Sequence, residues 1–169
     1  MKQLLTILFF SITLFALEVG STIPTTTLEG EHGGTLDGSV FNSDTLRDKI
    51  HVIFYVDPDE KDLNNPFSDA LKAQEFDRSK FASIAIINMD ATWLPNFAIA
   101  SSLEEKQKKF PNTLYVKDLQ KVLVEEWSLA DDNSDIIVLD QSGRVLYVYE
   151  GQLDEKEIST VITLIEEHI

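Results

Sequence analysis

Cysteine is absent from this 169-residue sequence. Disulfides, thiolate nucleophiles, cysteine-ligated zinc and thiol–disulfide exchange through the chain's own residues are excluded with it, because each needs a sulfur. No cysteine follows the N-terminal apolar run either, so a lipid anchor of that kind is excluded. Histidine is scarce: His32, His51 and His168 are the only three, and their spacing makes no zinc site. No G-x-S-x-G elbow supports a Ser-His-Asp triad. Positive charge is scarce as well, with 14 Lys and Arg against 29 Asp and Glu and a net charge of −15. A surface of that sign repels phosphate backbones and anionic lipid surfaces, so no nucleic acid is expected among the partners; basic partners or cations are compatible with it, but a charge that serves solubility is the first reading. Internal repeats, low-complexity tracts and interdomain linkers are also missing.

Long apolar runs are limited to one, residues 4–17, which follows Lys2 and is diluted only by Thr6, Ser11 and Thr13. Glu18 ends it, and Val19-Gly20-Ser21 supplies the small residues a signal peptidase accepts. A membrane-spanning helix needs about 20 apolar residues. The run therefore reads as a signal peptide over 1–21, cleaved after Ser21, which places the protein in the periplasm with no membrane anchor after cleavage. Removing Lys2 and Glu18 leaves the charge balance unchanged. The expected product, residues 22–169, has the length of one domain. A domain of that size buries roughly 68% of the surface its unfolded chain exposes, enough for stability without disulfides.

The rest of the chain alternates strand and helix signals. Residues 22–50 hold two weak extended pieces around the Gly-rich GEHGGTLDGS and a short helix near 43–46. HVIFYV (51–56) and ASIAIIN (82–88) are β-branched and aromatic runs of strand length. Between them PFSDALKAQEF (66–76) opens on a proline suited to a first helical turn and sets Phe67, Ala70 and Leu71 on one face. DATWLPNFA (90–98) reads as a loop with two large aromatics. Ser101 with Glu104, or Ser102 with Glu105, fits a capping box for a helix ending at Phe110-Pro111. NTLYVKD (112–118) reads as a strand and turn, and VLVEEW (122–127) as an extended segment or a short helix. IIVL (136–139) is continuously apolar, as a strand covered on both faces is. Asp140-Gln141-Ser142-Gly143 turns the chain, RVLYVYE (144–150) returns, and Asp154 with Glu157 caps a last helix whose stripe is Ile158, Val161, Ile162, Ile165 and Ile169. An α/β fold follows: a mixed sheet with helices on both faces, ending in strand, hairpin, strand and helix.

SSLEEKQKKFPN (101–112) and VEEWSLADDNSDIIVLDQSGRVLYVYEGQLDEKEISTVITLI (124–165) resemble the YtfJ family. The resemblance implies a small exported bacterial protein of thioredoxin-like architecture with no settled activity. Some members carry a transcriptional-regulator label, which the signal peptide and the charge of −15 argue against here. In thioredoxin-like enzymes the redox CxxC follows the strand equivalent to 51–56, where this chain reads DPDEKDLNN (57–65). The residue before the late strand, a cis-proline in those enzymes, corresponds here to Ser134 or Asp135.

Two arrangements could still carry a function. In α/β sheets ligands gather at the carboxyl ends of the strands. The loops expected there bring Trp93, Phe97 and Trp127 near Asp57, Asp59, Asp131, Asp132 and Ser134, an aromatic and acidic rim suited to a basic peptide or protein partner. The same aromatics also fit a core role, with Trp93 and Phe97 folded back as a lid and Trp127 buried, since aromatics are mostly buried. The alternative is a small Mg-dependent phosphatase-like hydrolase. Asp57-Pro58-Asp59 resembles the DxD that opens haloacid-dehalogenase phosphatases, with Asp57 as nucleophile and Asp59 as acid/base, and Asp131 and Asp135 as metal ligands. That motif expects Thr or Val where this chain has Lys61, so the binding role without cofactor or catalytic residues is preferred. An EF-hand reading of Asp57, Asp59 and Asp62 fails on Asp62 at the glycine position.

Overall fold

The computed structural model describes residues 17–169; residues 1–16, which hold all of the apolar run but Leu17 and most of the expected signal peptide, lie outside them. Eight strands and four α-helices occur in the described residues, in the order β1 Thr27–Leu28, β2 Gly33–Thr35, β3 Phe41–Asn42, β4 Ile50–Val56, α1 Asn65–Ala73, β5 Phe81–Asn88, α2 Asn96–Lys109, β6 Thr113–Asp118, α3 Val122–Trp127, β7 Ser134–Leu139, β8 Val145–Glu150 and α4 Glu155–His168. The main sheet runs β2-β6-β5-β4-β7-β8, and β1 pairs with β3 in a separate two-stranded ribbon. β4, β5 and β6 are mutually parallel, and β2, β7 and β8 pair antiparallel to their neighbours.

The apolar runs explain this order. β7 is buried along its whole length, because IIVL sits between two covered faces. Its residues alternate between two cores: Ile137 and Leu139 meet β1, β3 and α3, while Ile136 and Val138 meet α1 and α4. A third cluster, of Ile87, Met89, Ile99, Leu103 and Tyr115, seats α2 on β5 and β6. Helices thus cover both faces unevenly, with α1, α2 and α4 on one side and only α3 with the N-terminal ribbon on the other. Gly143 turns the chain into β8 at φ 78°, and Asp154 and Glu157 form the expected capping box on α4.

Two elements depart from the sequence reading. The helix expected from Ser101 or Ser102 begins at Asn96, so both serines lie inside α2. Pro95 fixes an extended backbone at the cap, and its carbonyl accepts from the Ala98 and Ile99 amides. Ile99 and Leu103, one turn apart and both buried, then hold the added turn on the sheet. The other departure is β2: Gly33-Gly34-Thr35 carries little strand propensity, yet it pairs with β6 and extends the sheet by one edge.

The first described residues pack rather than trail. Leu17 is buried, the Gly20 amide donates to the Val145 carbonyl at 2.7 Å, and the Val145 amide donates to Ser21 at 2.8 Å.

Candidate functional site

Three loops meet at the carboxyl end of β4 and the amino end of β7. Val56 pairs with Ser134 across the antiparallel ladder, so the chain leaves β4 where it enters β7. Asp57 opens a 3-10 turn over Pro58–Glu60, and its carboxylate accepts from the Asp59 amide at 2.8 Å. The Asp57 amide donates to the Asn133 carbonyl at 2.9 Å, tying this turn to the loop before β7. Asp57 is buried, and desolvation raises its carboxyl above the ordinary range despite that hydrogen bond; Asp59, Asp132 and Glu60 add to the rise.

Beneath it lies a buried amide hub. Asn64 donates from Nδ2 to Ser134 Oγ at 3.0 Å and to the Gly151 carbonyl at 2.9 Å, and its Oδ1 accepts from the Leu153 amide at 3.0 Å. One side chain therefore locks the start of α1, the start of β7 and the loop after β8. Ser134 is buried in that lock and is a structural member of it rather than a partner contact. Asn64 escaped the sequence reading because nothing in NN (64–65) distinguishes a hub from a cap.

Of the rim residues expected together, the structure assembles some. Thr92 donates to Asp59 Oδ2 at 2.9 Å and accepts from the Leu94 amide, so the loop over 90–94 is pinned beside the Asp57 turn. On it Trp93 is 87% exposed, with none of the cover a core aromatic has. Asp132 is exposed beside Asp57. Phe97 lies in the first turn of α2, and its side chain is outside the described residues.

Trp127 is not on the rim. It is fully buried in the opposite core, where its indole N–H donates to Thr26 Oγ1 at 2.8 Å and that hydroxyl donates to Glu126. The reason is that 122–127 is helical: α3 turns Leu123 and Trp127, four residues apart, onto the sheet. Asp131 is also committed elsewhere. Lys121 pairs with it at 2.7 Å and Asn88 donates to it at 3.0 Å, which holds its carboxyl below the usual range, the lysine contributing most.

The phosphatase arrangement does not assemble. Its second metal ligand, Asp135, is buried on β7 and accepts from the Ala130 amide, while Asp131 is ion-paired. Among the described residues no group of three or more His, Asp or Glu side chains could hold a metal. What remains at this end is a rigid turn, a buried acid and an exposed tryptophan among carboxylates.

Sheet order, the late β7–β8 hairpin and the closing helix define a thioredoxin-like domain, in which the loop between β4 and α1 reads DPDEKDLNN (57–65) with no cysteine. The likeness to solved structures agrees. A Chlorobium tepidum structure titled a putative thiol:disulfide interchange protein DsbE superposes with a TM-score of 0.65 over 90% of this chain and 99% of that one, at 13% identity. Without cysteine, the exchange chemistry in that title is not available to this chain's own side chains. Over residues 33–168 the sequence matches the family described as "Bacterial protein of unknown function (YtfJ_HI0045)", and the chain belongs to that family. It is 29% identical over 128 residues to an uncharacterized Haemophilus influenzae protein, covering 74% of this chain and 70% of that one. It is 26% identical over 158 residues to the uncharacterized protein YtfJ of Escherichia coli, covering 88% of this chain and 85% of that one.

Proposed function

We propose that this is an exported, non-catalytic thioredoxin-like protein that binds a basic peptide or protein partner at the end of the sheet where redox relatives carry their thiols. The observation that carries the reading is Trp93, 87% exposed on a loop that the Thr92–Asp59 hydrogen bond fixes beside Asp57 and Asp132. A large aromatic held out in water is uncommon away from recognition surfaces, and tryptophan is enriched among residues that dominate binding energy. The surrounding carboxylates favour a partner bearing Lys or Arg, which steers approach and fixes register. Export rests on the apolar run after Lys2 and places the partner in the periplasm.

A photo-crosslinking side chain in place of Trp93, expressed in intact cells, tests this. The expected result is a discrete adduct that disappears when Asp59 and Asp132 are both changed to Lys. A crosslinker at Ser159, exposed on α4, should give none of it. Adducts that are absent, or equal at both positions and indifferent to charge reversal, refute the reading. Fractionation and N-terminal sequencing of the same protein test periplasmic export and cleavage after Ser21.

A further inference from the structure

β5 lies inside the sheet, between β4 and β6, yet one of its faces is open. Ile84 and Ile86 are buried against the N-terminal core, whereas Phe81, Ser83 and Ala85, which point the other way, are only half-buried. The helices explain the gap. α1 sits over β4, with Phe67 and Phe54 ring centroids 5.5 Å apart, and α2 is drawn to β6 through Ile99, Leu103 and Tyr115. Between them runs a trough of about 740 Å³, floored by the small side chains Ser83 and Ala85 and walled by Leu71, Phe76, Leu103 and Phe110. That volume is within the range of roughly 300–1,000 Å³ usual for small-molecule sites. From Phe81 to Ile87 the floor extends about 20 Å at strand rise.

The charge around it is the reverse of the protein's. Seven of the 14 lysines and arginines line this trough, against one of the 29 acids, Glu75. Five of the seven, Lys49, Lys72, Arg78, Lys108 and Lys109, sit where β4 and β5 begin and where α1 and α2 end, at the mouth formed by Phe76, Phe81 and Phe110. Lys72 Nζ bonds the Lys109 carbonyl at 3.1 Å and Lys49 Nζ the Arg78 carbonyl at 2.8 Å, neither of them a carboxylate. Lys109 lies 4.8 Å over the Phe110 ring and is paired with Asp69. Asp77, also near this mouth, accepts from the Ser79 amide. At the opposite end Lys106 is ion-paired with Asp62 at 3.0 Å and donates to Asn65 Oδ1, and Lys61 donates to Ser102 Oγ at 3.3 Å.

We propose that this trough binds a long-chain carboxylate, its alkyl tail along β5 toward Val56 and Ser134 and its headgroup among the cations at the Phe81 mouth. An extended peptide fits the floor poorly. The backbone of β5 is already paired on both sides, so a peptide's own N–H and C=O groups would be buried there without partners. An alkyl chain has none to satisfy. The site is distinct from the Trp93 rim, and neither reading depends on the other.

The test is calorimetric titration of the full chain with decanoate, dodecanoate, tetradecanoate and hexadecanoate below their aggregation thresholds, with hexadecanol as the uncharged control. Binding should saturate at one ligand per chain and tighten by about fourfold per added methylene, the value for full burial of each. Lys72→Glu with Arg78→Glu should weaken the carboxylates by about tenfold or more and leave hexadecanol unchanged. Ala85→Phe, which fills the floor, should abolish both. Because that variant can fail to fold, methyl NMR of the wild type supplies a second reading. Hexadecanoate should shift Leu71, Leu103 and Ile87 and leave Ile53 and Ile137, on the opposite face, in place. Absence of saturable binding, an affinity indifferent to chain length, charge reversal that weakens the alcohol equally, or shifts confined to the opposite face would each overturn the proposal. So would displacement of bound hexadecanoate by an acidic amphipathic peptide of higher affinity.

Discussion

Replacing Asp135 by Asn should make the protein more stable at neutral pH, although the residue sits in the middle of the fold and holds a hydrogen bond. Asp135 is 3% exposed on β7, between Tyr55 of β4 and Glu150 of β8. Burial pushes its carboxyl up to about 6 from 3.8; the Ala130 amide, donating at 2.8 Å, works against that rise and Glu150 adds to it. Between those two values the native state binds a proton that the unfolded chain has released, so stability falls as pH rises from about 4 to about 6. A shift of roughly two units corresponds to about 3 kcal/mol of penalty carried at pH 7. Asparagine has the same shape, keeps an oxygen for the Ala130 amide and carries no charge. Urea unfolding of both proteins from pH 4 to pH 8 isolates the effect. Subtracting the two curves cancels carboxylates such as Asp62, Asp131 and Asp140, which are shifted downward and act in the opposite direction. The variant should gain about 3 kcal/mol at pH 7.5, or about 6–12 °C in Tm at this chain length, and nothing near pH 4. A difference that is flat across the range, or a variant less stable at pH 7.5, would refute the account of Asp135 as a buried charge held at a loss.

The two tryptophans should behave oppositely. Trp93→Ala should change unfolding free energy by less than about 0.5 kcal/mol because nothing packs on it, whereas Trp127→Ala should lose about 3–5 kcal/mol in the same urea assay. Asn64→Ala removes the partner of the Leu153 amide, the Gly151 carbonyl and Ser134 Oγ together, and should cost about 3 kcal/mol or more by denaturant unfolding. At Gly33, where φ is 129°, an added Cβ would stand 1.9 Å from the Lys117 carbonyl oxygen. Gly33→Ala should therefore unpair β2 from β6, seen as faster amide hydrogen exchange along that edge while the β4–β7 ladder stays protected.

Much of the fold was legible because local chemistry and tertiary structure agree. HVIFYV, ASIAIIN and IIVL are too apolar and too branched to be anything but interior strands, and each became one. Asp154-x-x-Glu157 and Gly143 act within four residues of themselves, so their roles needed no knowledge of the rest of the chain. Ser101 and Ser102 misled because a capping box is a local option that a longer helix overrides once Ile99 and Leu103 find a shared apolar surface. β2 was hidden for the complementary reason: its two glycines carry no propensity, and only the free edge of β6 makes them a strand.

The site divides in the same way. The sequence by itself determined that no thiol chemistry runs through these side chains, since that depends on composition alone. It also placed Asp57 and Asp59 where a strand ends. Which aromatic stays in water was a tertiary decision: Trp127 is carried into the core by one helical turn, while Trp93 is held outside by a loop that Asp59 pins. The trough along β5 was likewise invisible, because its cations come from four separate segments. They meet only when two parallel crossovers bring the ends of α1 and α2 to the starts of β4 and β5, and sequence spacing does not encode that distance.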